Sequence, residues 1–372
     1  MDDPQVRLVS QLALTSAMRR RIFRAVERLA KRLTDRQLLK EQRSNLTEAE
    51  MCNMCYLLPD ILMNEPICLE LSLDEPIHVI GDIRGQYVHL IHLLDNLGHP
   101  PNRRFLFLGN YADSGEKSIE TIALLFAYKV LYPNHVYLLR GRHEFASVGR
   151  IYGLFDHCLK RFTRRLWSDI NTVFQFLPIA AILDDRVFCI HGGLSPVLEF
   201  LNVSNLTHLK NELRQSSGRP ALLHQNSILT HLIWSDPDEE TVNWEQNPGG
   251  MGYLFGPEVV TRFCDHLGLT QIIRSGEVVK NGFEFFKEPR LLTIFSAPDL
   301  EETYANAGAA LQLTKLGKDT VRCKIKIMKP LIHLRCKQTT RPNVVFEELE
   351  TNLGLRDRPA LIELPVAATT EV

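Results

Sequence analysis

The sequence predicts an α/β fold, a central β-sandwich flanked by helices, and three observations carry that prediction. Short apolar, β-rich runs at 77–80, 105–108, 136–139 and 187–190 each end directly in a Gly-containing polar motif. Continuous apolar runs of this length read as buried strands. Between the second and third runs, Ile119, Ile122, Leu125, Phe126 and Val130 recur at helical spacing and form a face that can cover such a strand. The second half then turns strand-rich: a helix at 258–267 is followed by strand candidates at 269–274, 282–286, 291–295, 308–313 and 321–327.

Each remaining segment has its own justification. Segment 19–32 is basic, yet Ile22, Val26, Leu29 and Leu33 share one face while Arg20, Arg24, Arg28 and Lys31 lie largely elsewhere. A helix docked on the core accounts for this better than one lying on a membrane. The apolar run 51–63 is a second helix, and its Cys52-x-x-Cys55 spacing reads as packing rather than as a metal or redox pair. The Pro/Gly punctuation at 246–252 marks a long loop. The expected organisation is an N-terminal extension at 1–18, one domain at 19–330, and a flexible C-terminal tail at 331–372, whose weak periodicity gives no packed element.

Composition narrows the function. In 372 residues, 45% are apolar and 43 basic side chains face 44 acidic ones. That supports a sizeable core and gives no reason to expect nucleic acid or an anionic membrane as partner. No apolar run is long enough for a membrane span, and Asp2 and Asp3 argue against a transit peptide. The eight cysteines lack zinc-site or disulfide-scaffold spacing, so reduced thiols and a cytoplasmic or nuclear location are expected.

The motifs are GDIRG at 81–85, GNYADSG at 109–115, RGRHE at 140–144 and HGG at 191–193. In order, spacing and surroundings they resemble the phosphoprotein phosphatase family of Ser/Thr phosphatases, most closely the type 1 catalytic subunit, over about residues 20–330. LPIAAILDDRVFCIHGGLSP, LIWSDPD and FSAPD extend the resemblance. It implies a metallophosphoesterase-type sandwich whose strand ends hold two divalent metals, which activate water and shield phosphate charge.

Against that pattern most metal ligands are replaced. The resemblance makes Asp82 and His191 retained ligand positions, whereas Arg84, Asn110, Arg142 and Gly276 stand where the family has His, Asp, Asn and His. A guanidinium stays protonated and has no lone pair to give, and a neutral Asn cannot bridge two metals as a carboxylate does. The phosphate-gripping arginines are Ser114 and Gly249, and the aromatic of the SAPNY-like loop is Leu300. Asp113 and His143 retain the pair that protonates the leaving group; holding two loops together is the plainer account of them. Asp82 is expected to pair with Arg84 or Arg142, because a buried carboxylate needs a counter-charge once metals are gone. A sharper alternative has Arg84 and Arg142 grip a phosphate without cleaving it.

The expected function is therefore a pseudophosphatase without a cofactor, acting as a binding or scaffold protein. The alternative is a weakly active phosphatase with at most one metal of the Mn, Fe or Zn class. The expected partners are phosphoproteins, or regulators whose RVxF-like peptides add as a strand to a groove. The resemblance places that groove at Val187, Phe285, Val321, Cys323 and Ile325, with departures at Thr270 and Gln271. Asn343-Val-Val-Phe346 in the tail loosely echoes such a peptide.

Overall fold

A computed structural model describes residues 16–40, 44–112, 115, 117–216, 218–221, 227–316, 320–331, 344–353 and 361–363. One large sheet runs β16 (Ile362–Glu363), β15 (Val344–Leu353), β14 (Val321–Pro330), β13 (Gly308–Lys315), β2 (Ile77–Ile80), β3 (Arg104–Phe107), β4 (Val136–Leu138). The other runs β1 (Cys68–Leu71), β5 (Ala180–Leu183), β6 (Val187–Ile190), β10 (Gln271–Arg274), β12 (Leu291–Ile294), β11 (Phe283–Phe285). A small third sheet joins β7 (Asp236–Pro237), β9 (Tyr253–Phe255) and β8 (Trp244–Gln246).

Strand alternation explains the layering. In β6, Val187 and Cys189 join the apolar layer between the two sheets, together with Leu311, Val321, Cys323 and Ile325. Phe188 and Ile190, on the other face, belong to a helical layer with Leu232, Val260 and Cys264. The first sheet is covered in turn by helices Ser16–Leu33, Glu48–Met63 and Ser118–Leu131, which bury Phe105 and Phe107. This is the helix-flanked sandwich that the sequence predicts.

Helix Ser16–Leu33 buries Val26, Leu29 and Leu33, so its basic residues form the solvent side of a docked helix. Helix Glu48–Met63 starts at a capping box: Thr47 Oγ1 accepts from Glu50 N at 3.3 Å, and Glu50 Oε2 accepts from Thr47 N at 3.0 Å. Arg32 then forks onto both oxygens of Glu50 at 2.8 Å, tying the two helices together. No helix among the described residues is long and apolar enough to cross a membrane. The cysteines among them are free thiols.

Two expectations need correction. Gln246 belongs to β8, so the loop begins one residue later. The tail at 331–372 is not uniformly flexible: β15 pairs with β14 along Val344–Leu353, and Leu353 is completely buried. Residues 1–15 and 332–343, including Cys336 and Asn343, lie outside the described residues.

Candidate functional site

The parallel strands β2, β3 and β4 of one sheet and β6, β10 and β12 of the other all deliver a motif at their carboxyl ends. An isolated bridge between Asp82 and Phe295 ties the end of β2 to the end of β12. The site therefore forms where the two sheets meet, the usual place for ligands in open α/β sheets.

Asp82 is completely buried at its centre, and its two oxygens accept four hydrogen bonds. Oδ1 takes Ser275 Oγ at 2.7 Å and Gly276 N at 3.0 Å. Oδ2 takes Arg84 Nε at 2.7 Å and Asn110 Nδ2 at 2.8 Å. Burial by itself would raise this carboxyl, but the Arg84 charge, His191 and the donated hydrogen bonds hold it well below the usual carboxylate range. An ionised carboxylate offers about four acceptor sites, and four donors lie against them, the single Ser275 proton being shared with Ile294 O, also at 2.7 Å.

Arg84 and Asn110 both adopt left-handed backbone, with φ of 54° and 56°. Such torsions are unusual for arginine and are tolerated where surrounding bonds fix them. Asn110 Oδ1 accepts from His143 N at 2.9 Å, which turns its amide nitrogen toward Asp82. Arg84 Nη1 lies 3.0 Å from His143 Nε2. Since a guanidinium only donates, His143 Nε2 is the acceptor and holds no proton for a leaving group. Asp113 and Ser114 lie outside the described residues.

Arg142 turns to the opposite wall. Its Nε donates to Ile233 O at 3.0 Å and its Nη2 to Asp236, with the guanidinium over the Trp234 ring. Asp236 is shared with Arg274, whose Nη2 donates at 2.7 Å, whose Nε donates to Gly192 O at 2.6 Å and whose Nη1 pairs with Glu277. Of the two arginines suggested as counter-charge for Asp82, the structure uses Arg84. Their suggested role as paired phosphate grips gains no support, because both guanidiniums are engaged by internal acceptors.

His191 donates from Nδ1 to Leu108 O at 2.8 Å, leaving the lone pair on buried Nε2 without a hydrogen-bond partner among the described residues. Burial pushes this imidazole down to about 3, and Arg142 and Arg274 push the same way against Asp82. Gly276 closes the site at φ +92°, where an added Cβ would stand 3.2 Å from both His191 Nε2 and Arg274 Nη2. Gly249 is exposed in its loop, and Leu300 is packed with Val279, Phe295 and Ala297.

These residues do not fit a two-metal centre. Such a centre needs carboxylate, imidazole and amide oxygens with free lone pairs. Here four donors lie against Asp82, Asn110 presents its nitrogen, and Arg84 places a fixed cation on the carboxylate. At about 4 Å and an effective dielectric near 20, one such charge opposes a divalent ion by roughly 8 kcal/mol. Among the described residues, no group of three or more His, Cys, Asp or Glu converges in a metal-holding arrangement.

Sequence reasoning missed Arg274, Asp236, Ser275 and Glu144. Glu144 is fully buried and accepts from Asn110 N and Gly141 N at 2.8 Å and Tyr111 N at 2.9 Å, stitching two motif loops together. The signal for Arg274 was a charge directly after the apolar pair Ile272-Ile273. The groove positions Val187, Phe285, Val321, Cys323 and Ile325 do come together, but all are buried between the sheets. The edge of β14 above them is paired to β15, so no open groove is presented there.

The fold and this ring of motifs define a phosphoesterase-type protein, and the chain belongs to the calcineurin-like phosphoesterase family, whose profile matches residues 75–280. Among solved structures it is similar to a protein serine/threonine phosphatase from Saccharomyces cerevisiae with similarity to human phosphatase PP5. The two are 25% identical with a TM-score of 0.67, over 82% of this chain and 90% of that one. The cold-active protein-tyrosine phosphatase of a psychrophilic Shewanella is 14% identical with a TM-score of 0.49, over 71% and 81%.

Proposed function

We propose that this chain is a type 1-like member of the phosphoprotein phosphatases that works as a binding or scaffold protein rather than as an efficient hydrolase. The observation that carries the reading is the contact of four donors with Asp82, one of them Arg84. With four donors against it and the Arg84 cation in contact, the carboxylate is a poor metal ligand, and Arg84 also occupies the retained acid His143. Water activation and leaving-group protonation, the two steps a phosphomonoester needs, both lack their groups in this arrangement. Because Arg84 and Arg142 are internally paired, the geometry favours protein regulators over phosphoproteins as partners. The free thiols suit a reducing cytoplasmic or nuclear compartment.

The test is metal content by elemental analysis, together with phosphopeptide turnover in the presence of added Mn, Fe or Zn. Less than one bound metal per chain and no turnover are expected. Two tightly held ions with turnover like that of active phosphatases would overturn the reading.

One observation favours a second reading. The orphaned, neutral Nε2 of His191 is an imidazole lone pair of the kind that ligates a metal. A single-metal, weakly active phosphatase would build on it, and His191→Ala would then abolish both metal uptake and turnover. Activity that survives His191→Ala and His143→Ala comes from a contaminant.

A further inference from the structure

The helix Ser16–Leu33 carries an inference that deepens the proposed binding role and rests on it. Its 18 residues hold seven basic side chains and one acid, Glu27, in a chain whose net charge is -1. Three of the seven are engaged inside the fold: Arg19 meets Asp60 at 3.2 Å, Lys31 meets Glu27 at 3.0 Å, and Arg32 forks onto Glu50. Arg20, Arg21, Arg24 and Arg28 are exposed and have no ion-pair partner among the described residues.

Val26, Leu29 and Leu33 seal the apolar face onto the core, so the helical repeat sets Arg24 near the middle of the solvent face, with Arg20 and Arg28 one turn to either side. The three form a stripe about 12 Å long with a cation about every 6 Å. Like charges at i, i+4 oppose helix formation, so the stripe works against the element that carries it. A local rule broken without a gain inside the fold points to a role outside it. Phe23 borders the stripe and is 44% exposed.

Three kinds of partner carry the negative charge such a stripe attracts. A helix lying on a membrane sinks its apolar face among the lipids, and here that face is buried in protein. A nucleic acid extends well past 12 Å and meets the acidic excess that the rest of the chain carries. A short acidic protein segment meets neither obstacle, and arginine beside an exposed aromatic is the composition of a protein interface.

We propose that the exposed face of helix Ser16–Leu33 docks a short acidic helical segment of a partner protein. Its carboxylates at i, i+4 and i+8 meet Arg20, Arg24 and Arg28, and an apolar residue beside them packs on Phe23. Two helices share the same rise per turn, so the three pairs form in register. Each guanidinium can fork onto a carboxylate, and neutralising the stripe relieves its internal repulsion.

The test uses the full chain and a fluorescein-labelled helical peptide with glutamate at i, i+4 and i+8 and one leucine beside them, read by anisotropy. Arg20→Ala/Arg24→Ala/Arg28→Ala should weaken binding at least about tenfold, the combined effect of three exposed pairs, and leave the thermal midpoint unchanged or higher. A peptide with glutamine at the three positions should also bind at least about tenfold more weakly, and added salt should weaken the wild-type complex. A second variant, Arg20→Glu/Arg24→Glu/Arg28→Glu, should prefer a lysine peptide to the glutamate one, which keeps the proposal testable if the first variant misfolds. Equal binding of the glutamate and glutamine peptides, or binding that neither variant alters, would overturn it. So would duplex DNA or phosphatidylserine vesicles that bind the wild type more tightly than the acidic peptide does and depend on the same arginines. None of these variants alters a site residue, so metal content and turnover judge the proposed function separately.

Discussion

Arg84 Nε donates to Asp82 Oδ2 at 2.7 Å, from a guanidinium only 14% exposed to a carboxylate that is completely buried. The two residues lie in the same five-residue motif, and left-handed backbone at Arg84 brings its side chain back onto Asp82. A charge that would repel a metal thus becomes the internal counter-charge of the retained ligand position, Asp82. Removing one partner of a buried pair is far worse than replacing both.

Arg84→Ala is therefore expected to destabilise the protein by about 3 kcal/mol, because Asp82 loses its cation while staying buried. Urea unfolding measures it. Arg84→Ala combined with Asp82→Ala should be less harmful than the sum of the single changes; strict additivity would contradict the pairing.

Asp236 stands between Arg142 and Arg274. Asp236→Asn keeps the shape and removes the charge both guanidiniums share, so a loss of about 3 kcal/mol or more is expected in the same assay. A loss below about 1 kcal/mol would mean that the backbone carbonyls of Ile233 and Gly192 suffice as partners for the arginines.

Restoring the family's side chains should not restore a metal site cheaply. In the set Arg84→His, Asn110→Asp, Arg142→Asn and Gly276→His, the last change forces a Cβ onto φ +92° backbone, 3.2 Å from His191 Nε2 and Arg274 Nη2. Gly276→Ala alone is expected to destabilise by about 1–2 kcal/mol through that torsion. Thermal unfolding of Gly276→Ala checks it, and an unchanged midpoint would show that the loop relaxes freely.

His78, packed on the Phe105 ring at 5.2 Å, is pushed down to about 4 by burial. Its folded value lies below the ordinary imidazole value near 6.5, so the unfolded chain binds the extra proton first as pH falls. Its contribution is complete above about pH 6.5 and is lost between there and about pH 4, by up to about 3 kcal/mol. His78→Gln should flatten unfolding free energy over that interval; an unchanged slope would assign the titration to other histidines.

What the sequence made legible follows from the range of each signal. Buried parallel strands such as β6 read as uninterrupted apolar runs ending in Gly, so their positions and the motifs after them were visible locally. The substitutions at Arg84, Asn110, Arg142 and Gly276 were visible by resemblance. The partner of Arg142 was not: Asp236 is distant in sequence, on β7 of the small third sheet, and only the folded chain brings them together. β15 was missed because a strand near the sheet edge buries few residues completely, so Val344–Leu353 with its glutamates reads as a solvated tail. Its pairing becomes readable only once the basic row of β14, Arg322, Lys324 and Lys326, is known to face it.

The bonds at Asp82 run from the end of β2 to Ser275 and Gly276 beyond β10, that is, from one sheet to the other. The converted site is thus a seam of the sandwich, and its residues act as rivets. Damage at Asp82, Arg84 or Asp236 is expected to reach a cell first as lower protein abundance. A missing interaction traced to one of these positions therefore reports on folding, and mapping of partner surfaces belongs on variants that leave the seam closed.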